Sequence, residues 1–305
     1  MKKKFFLRFS FPFIALFSCI GTAFLQENGS RRDREQMIEQ RVRDLLKSVQ
    51  NEVEAYNYYN FATIHFASTI PSIKNPDVSI KDKAEILFGV KDADPHLIGL
   101  NITDLQGNSY LVEGPMYNFS ERAYFKNALK GRETVFGPII NKVTNVPTIF
   151  YGAPHYDTEG NLTNTFFLAA HGEHLSEICR RNAEGSSFRA IIVRRLTGLV
   201  IASEEKEDLL NRNFFDDVAE SGVMEFQDIS EKIAAGETGF HILKFPDGKK
   251  QAISYAPIAS TDWAIVVKAD FADFAREKSK IPVILFALAL TALATTVSFF
   301  LAKDF

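Results

Sequence analysis

Two apolar runs, Phe9 to Leu25 and Ile281 to Ala302, bracket residues 26–280 and constrain the chain more than anything between them. A helix needs about 20 mostly apolar residues to cross a bilayer, because hydrocarbon offers no partner for an unpaired backbone N–H or C=O. Ile281 to Ala302 contains no charged residue, and lysines at 278, 280 and 303 flank it on both sides. Lys2, Lys3, Lys4 and Arg8 precede the first run and assign its start to the cytoplasm. The expected layout is a cytoplasmic start and first transmembrane helix over 1–28, an exported middle, and a second transmembrane helix with a short cytoplasmic tail over 279–305. Two other readings of the first run stand beside this one. It is also read as a cleaved signal peptide ending near Gly21-Thr22-Ala23, or as a lipoprotein signal ending at Cys19, which the bulky Phe17 disfavours. All three export the middle of the chain.

The formal net charge of -3 carries no nucleic-acid signature. Of the two cysteines, Cys19 lies in the first apolar run, so Cys179 has no exported partner and no internal disulfide is expected. Stability must come from packing.

From Ser30 to Ile70, Ile38, Val42, Leu45, Val49, Val53, Tyr56, Thr63 and Phe66 recur mostly three or four apart with charges between them, which predicts one long helix. Pro71 and Pro76 end it. Beyond Pro95 the period becomes that of strands joined by tight turns. Hairpins are expected at Leu97 to Glu113, at Thr148 to His171, and at Phe188 to Ser203. Phe240 to Phe245, Gln251 to Pro257 and Trp263 to Lys268 complete a meander, and Glu121 to Lys130 suggests a short helix.

Part of this pattern repeats. Gly131-Arg-Glu-Thr-Val-Phe136 recurs as Gly236-Glu-Thr-Gly-Phe240, and Tyr151-Gly-Ala-Pro154 as Ser254-Tyr-Ala-Pro257, in the same order. The hairpin at Leu97 also has a counterpart at Phe188. Ordered matches of this kind predict two similar α+β modules in tandem, with a boundary near Asn182 to Ser187.

Here the chain resembles the double Cache sensor domains of bacterial transmembrane receptors. The likeness rests on the long helix, Ser120-Glu-Arg122-Ala-Tyr124-Phe125, Ala128-Leu-Lys-Gly131 and Phe136-Gly-Pro138-Ile139. It continues with Ala153-Pro154 before the Glu159-Gly160 turn, Tyr255-Ala-Pro257 and Thr261-Asp262-Trp263, covering roughly Gln36 to Ala269. The resemblance implies an α+β fold: two PAS-like modules with antiparallel sheets, stacked along one long N-terminal helix and flanked by two transmembrane helices. The expected parts are a stalk helix over 29–72, a membrane-distal ligand-binding module over 73–187 and a membrane-proximal module over 188–278. It further implies a two-pass protein of the bacterial inner membrane with its bulk in the periplasm. Family members commonly carry a cytoplasmic output module, whereas this chain stops at Phe305. A cytoplasmic or membrane signalling partner would then supply the output, unless the chain is a truncated receptor fragment. A homodimer through the long helix is expected, because its apolar stripe exceeds what one module can cover.

No Gly-rich phosphate loop, His-Glu-x-x-His or nucleophile motif is present, so catalysis is not expected. His171-Gly-Glu-His174 offers two imidazoles and a carboxylate, but the spacing matches no zinc pattern. Neither a metal nor a cofactor is expected. The partner implied is a small polar ligand. Arg122 is the leading candidate to bind it, since a guanidinium fork grips a carboxylate through two charge-assisted hydrogen bonds that nearby aromatic rings shield from water. Arg122 could instead pair locally with Glu121 or Glu173. In family members that bind amino acids, the resemblance implies that Tyr117, Arg122, Tyr124 and Phe125 hold the ligand carboxylate. The chain departs from that pattern at Ile139, where a second tyrosine is expected, and at His171, where an aspartate would take the ligand amine. Glu173 is a candidate substitute. These departures favour a small carboxylate over a standard amino acid. Tyr151 is a candidate pocket wall or an ordinary core residue, and Tyr255 and Trp263 read as core aromatics. The competing reading of the whole chain is a membrane-tethered scaffold with a vestigial pocket.

Overall fold

The computed structural model describes the backbone of residues 2–110, 115–141 and 144–275, with side chains from residue 32 onward except at Met224, Phe274 and Ala275. Among the described residues no helix is long and apolar enough to cross a membrane. The run Ile281 to Ala302 lies outside them, and of the run Phe9 to Leu25 only helical backbone is described. The chain divides into two compact units. One contains residues up to Arg41 together with Asp270 and beyond, and the other is Val42–Ala269.

The long helix α1 spans Lys2–Ser68. Its buried positions in the second unit are Val42, Leu46, Val49, Val53, Asn57, Asn60, Ile64 and Ala67, a continuous stripe at steps of three and four. The stripe departs from the expected spacing at Leu46, which is buried while the expected Leu45 is half-buried, and again after Val53. Asn57 and Asn60 take the inward positions while Tyr56 and Thr63 sit half-buried and Phe66 is exposed. The reason is chemical: the buried Tyr151 hydroxyl donates to Asn57 Oδ1 over 2.8 Å, so an amide serves where a hydrocarbon side chain could not. The short helix α2 (Pro71–Lys74) begins on Pro71, which needs no N–H donor there. Helix α3 (Ile80–Asp92) is capped by Ser79, whose hydroxyl accepts from the Asp82 amide.

The strands that follow are β1 (Leu97–Thr103), β2 (Asn108–Tyr110) and β3 (Met116–Asn118). After helix α4 (Ala123–Ala128) come β4 (Thr134–Ile140), β5 (Pro147–Tyr156) and β6 (Leu162–His171). Helix α5 (Glu173–Ala183) leads to β7 (Phe188–Arg194) and β8 (Val200–Ala202). Helices α6 (Phe214–Glu220) and α7 (Met224–Ala235), strands β9 (Gly239–Lys244), β10 (Lys250–Pro257) and β11 (Trp263–Asp270), and helix α8 (Phe271–Ala275) close the described chain. The hairpin expected from Leu97 to Glu113 forms its turn, with the Gly107 amide donating to the Asp104 carbonyl and the Asp104 amide to the Asn108 carbonyl; residues 111–113 of that expectation lie outside the described residues, and β2 also ladders with β3 in a two-stranded sheet.

The strand order is β1-β6-β5-β4 in one sheet and β8-β7-β11-β10-β9 in the other. Their ladders, β1 with β6, β5 with β6, β4 with β5, β7 with β11 and β9 with β10 among them, run antiparallel. In both sheets the first long strand lies beside the last, and the intervening two follow in reverse chain order. The repeated motifs fall on equivalent elements: Gly131 and Gly236 follow α4 and α7 in the left-handed region, at φ 73° and 78°, and Tyr151 and Ser254 lie on the corresponding strands β5 and β10.

Candidate ligand-binding site

Successive residues of a strand point to opposite faces of its sheet. On β5, Tyr151 points toward α1, where it bonds Asn57 and meets the Phe61 ring edge-on at 5.3 Å. Phe150 and Gly152 therefore point the other way, toward α4. Tyr124 of α4 stacks on Phe150 with ring centroids 5.3 Å apart and leans on Phe167 at 5.5 Å. Phe167 stands opposite Gly152 in the β5–β6 register. Tyr124, Phe125 and Phe167 form a buried cluster, with Phe119, Phe136, Phe150 and Leu129 packed against it. Gly152 permits this closeness, since a Cβ there would stand 2.8 Å from both Tyr124 Cβ and the Tyr124 carbonyl oxygen.

Arg122 sits at the head of α4, in the capping position, with extended backbone and an exposed side chain. The loop that delivers it is pinned from below. Asn118 Nδ2 donates to the Gln106 carbonyl and to Asn108 Oδ1, its own Oδ1 accepts from the Ser120 amide and hydroxyl, and the Phe119 amide donates to the Gly107 carbonyl. Gly107 has φ 86°, and a Cβ on it would lie 2.6 Å from the Ser120 amide nitrogen, so only glycine lets the loop lie this close. Glu121, the nearest carboxylate in sequence, pairs with Lys126 at 2.7 Å. Among the described residues the Arg122 guanidinium has no hydrogen bond or ion pair, neither Glu121 nor Glu173 engaging it. Its charge reaches Tyr124, whose phenol burial pushes up to about 12 and which the Arg122 charge pulls back in part.

The sequence-selected residues divide. Arg122, Tyr124 and Phe125 come together at α4. Tyr117 is on β3, 43% exposed, three residues before the turn that leads into α4. His171 ends β6 and, by alternation from Phe167, shares the α4 face; it is exposed, and its carbonyl accepts from the Tyr56 hydroxyl over 3.3 Å. Glu173 is exposed in the first turn of α5. Tyr151 is not brought to Arg122, because its side chain is on the α1 side of the sheet, where burial holds its phenol well above the ordinary tyrosine value. Phe119, Phe150 and Phe167 also belong to this aromatic cluster and were not among the sequence candidates, and Phe136 was noted only for its place in a motif. The signal was the parity of β5, since choosing 150 rather than 151 selects the other face, but both faces of that strand are apolar. Among the described residues no group of three or more His, Cys, Asp or Glu could hold a metal ion.

The arrangement offers an exposed, planar, charged donor fork at the head of a helix whose following residues are buried aromatics. A fork of this kind suits a carboxylate or similar oxyanion.

The Cache domain profile matches residues 29–277 of this chain. Among solved structures, the sensory domain of the Campylobacter jejuni chemoreceptor Tlp3 with isoleucine bound aligns at TM-score 0.57 and 14% identity, over 79% of this chain and 96% of that one. The periplasmic sensory domain of the C. jejuni chemoreceptor Tlp1 aligns at 0.55 and 12%, over 78% and 96%. An extracellular ligand binding receptor from Desulfohalobium retbaense aligns at 0.57 and 13%, over 74% of this chain but only 39% of its own length. No curated protein matches the sequence. The profile match and the duplicated antiparallel architecture agree, and the chain belongs to the Cache domain family.

Proposed function

We propose that this chain is a membrane-anchored extracytoplasmic sensor in which Arg122 anchors the carboxylate of a small metabolite against the aromatic face of the four-stranded sheet. One observation carries this reading: the Arg122 guanidinium is exposed and without a partner among the described residues while aromatic side chains pack around the helix it heads. Relatives of the same fold support the ligand class, since the Tlp3 domain has been solved with isoleucine and with L-norvaline. In this chain the ligand-binding module is residues 73–187, distal to the membrane, and residues 188–278 form the proximal module. Ligand binding would shift a conformational equilibrium and move the second apolar run, which requires different affinities for two states. A cytoplasmic or membrane signalling partner would carry the output. A homodimer through α1 fits the same reading. The chain acts by binding, without catalysis or a cofactor.

Calorimetric titration with organic acids and aliphatic amino acids tests the proposal. Arg122→Ala should weaken binding by at least about 10-fold, the scale of a lost hydrogen bond to a charged group, and Arg122→Lys should recover only part, because an ammonium cannot reproduce the bidentate fork. An unchanged affinity in Arg122→Ala would move the site elsewhere.

A further inference from the structure

Phe136, one wall of the aromatic face, runs on along β4 into Gly137 and Pro138, and side chains of the five-stranded sheet hold both of their carbonyls. The Trp263 indole N–H donates to the Gly137 carbonyl over 3.0 Å, and the Arg194 guanidinium donates to the Pro138 carbonyl over 3.3 Å. The same guanidinium lies over the Phe136 ring, 6.0 Å from its centroid. Trp263 and Arg194 are register partners in the β7–β11 ladder, so one cross-strand pair grips two consecutive carbonyls of the other sheet's edge strand. Those carbonyls are free to be gripped because the β4–β5 register breaks between Phe136 and Ile139. Trp263 is completely buried, and a buried indole N–H needs an acceptor, so this bond cannot be given up without loss.

We infer that Trp263 and Arg194 form a transmission clasp: displacement of Phe136 at the aromatic face passes through the Gly137 and Pro138 carbonyls to the head of β11. β11 is the strand whose other end leads in sequence to α8 and the second apolar run. A buried bond between the two sheets carries displacement because the close-packed side chains around it do not deform smoothly. The inference rests on the sensor reading only for what displaces Phe136; the clasp itself can be tested without a ligand.

Hydrogen exchange read by mass spectrometry on the full chain provides that test. Phe167→Leu loosens the cluster against which Phe136 packs. It should speed amide exchange in β11 about fivefold or more while β9, at the far edge of the same sheet, stays unchanged. In a Trp263→Phe background, which keeps an aromatic ring and removes the N–H donor, the β11 response should vanish. Arg194→Gln gives a second background should Trp263→Phe fail to fold. The clasp is overturned if β11 ignores Phe167→Leu in the otherwise native chain, if it responds equally in every background, or if β9 rises with it. Because no ligand is added, failure of the Arg122 titration leaves this result standing, and failure here leaves the Arg122 site intact.

Discussion

Tyr151 and Phe150 are neighbours in sequence and belong to different parts of the molecule. The Tyr151 hydroxyl is spent on Asn57, whose Nδ2 has no partner in the buried seam, as Asn60 Oδ1 has none nearby. Tyr151→Phe should destabilise the fold by about 1–2 kcal/mol, since it leaves Asn57 Oδ1 buried and unbonded as well, and ligand affinity should hold because the change is on the other face of the sheet. Denaturant titration beside calorimetry separates the two. His155, on the same strand face, meets the edge of the Phe166 ring at 5.2 Å, and its Nε2 is buried without a partner. Burial first, then the Lys83 charge, hold its imidazole below the ordinary 6.5. A group with a depressed folded value binds its proton more readily when unfolded, so its stabilising contribution is complete above pH 6.5 and is lost as the pH falls from there through the folded value. His155→Asn should flatten the fall in stability below pH 6.5, removing at most about 1.4 kcal/mol per pH unit. His241 is also depressed by burial, then by Lys232, so part of the slope should remain. None of this was legible in the sequence, because the partners of Asn57, Asn60 and His155 are set by tertiary contact and no local pattern marks them. The grouping of Arg122 with Tyr124 and Phe125 was legible, because the three lie within four residues of one another and need no tertiary contact to be noticed.

Elements were legible wherever local chemistry dictates them. Asp104-Leu-Gln-Gly107-Asn108 and Asp157-Thr-Glu-Gly160-Asn161 form the same turn. In each, the Asp Oδ1 accepts from two following amides, between 2.8 and 2.9 Å, and its Oδ2 accepts from the closing Asn. Both glycines take φ 86°. The β5–β6 hairpin, closed by the second of these turns, matches the expected span nearly to the residue. The partner of β2 was not legible, because that choice depends on β3, three residues long and exposed. Helices α3, α5, α6 and α7 were not anticipated either: each packs against a sheet, and tertiary contact supplies the stability that short helices lack. The seating of α4 on β5 likewise depends on a glycine that sequence alone shows only as part of a repeat. Gly152→Ala would drive a methyl into Tyr124 backbone and Cβ, neither of which can rotate away. The expected cost is about 1–3 kcal/mol, with α4 lifted from the sheet and Arg122 carried out of register with the aromatic wall. Binding should therefore weaken in Gly152→Ala although no ligand contact is removed, and an affinity equal to that of the native chain would show that α4 does not position the site.

At the scale of the molecule, duplication is the deepest regularity; the sequence shows it in two short motifs and a repeated hairpin pattern, and the strand order of the two sheets repeats with them. What the repeat cannot encode is how α1 serves both the packed interior and a second surface. Its buried stripe faces the sheets, and on the opposite side Ala55, Tyr59, Ala62 and Phe66 follow steps of four, three and four, with Tyr58 beside them. Tyr58 is 77% exposed and Phe66 66%, whereas the outward positions nearer Val42 are occupied by Arg41, Asp44, Lys47 and Asn51. From Val42 onward the outward apolar seam is thus confined to the last turns of the helix. A heptad-spaced seam of this kind buries itself best against a second copy crossing at a shallow angle, as in two-stranded coiled coils. Phe66→Glu would place a carboxylate on that seam. The dimer proposed for this chain should then dissociate at least about tenfold more readily in sedimentation velocity, the scale of removing one large apolar side chain from an interface centre. Circular dichroism should not change, because Phe66 contributes nothing to the buried stripe. A dimer of undiminished strength in Phe66→Glu would place the contact between copies on another surface.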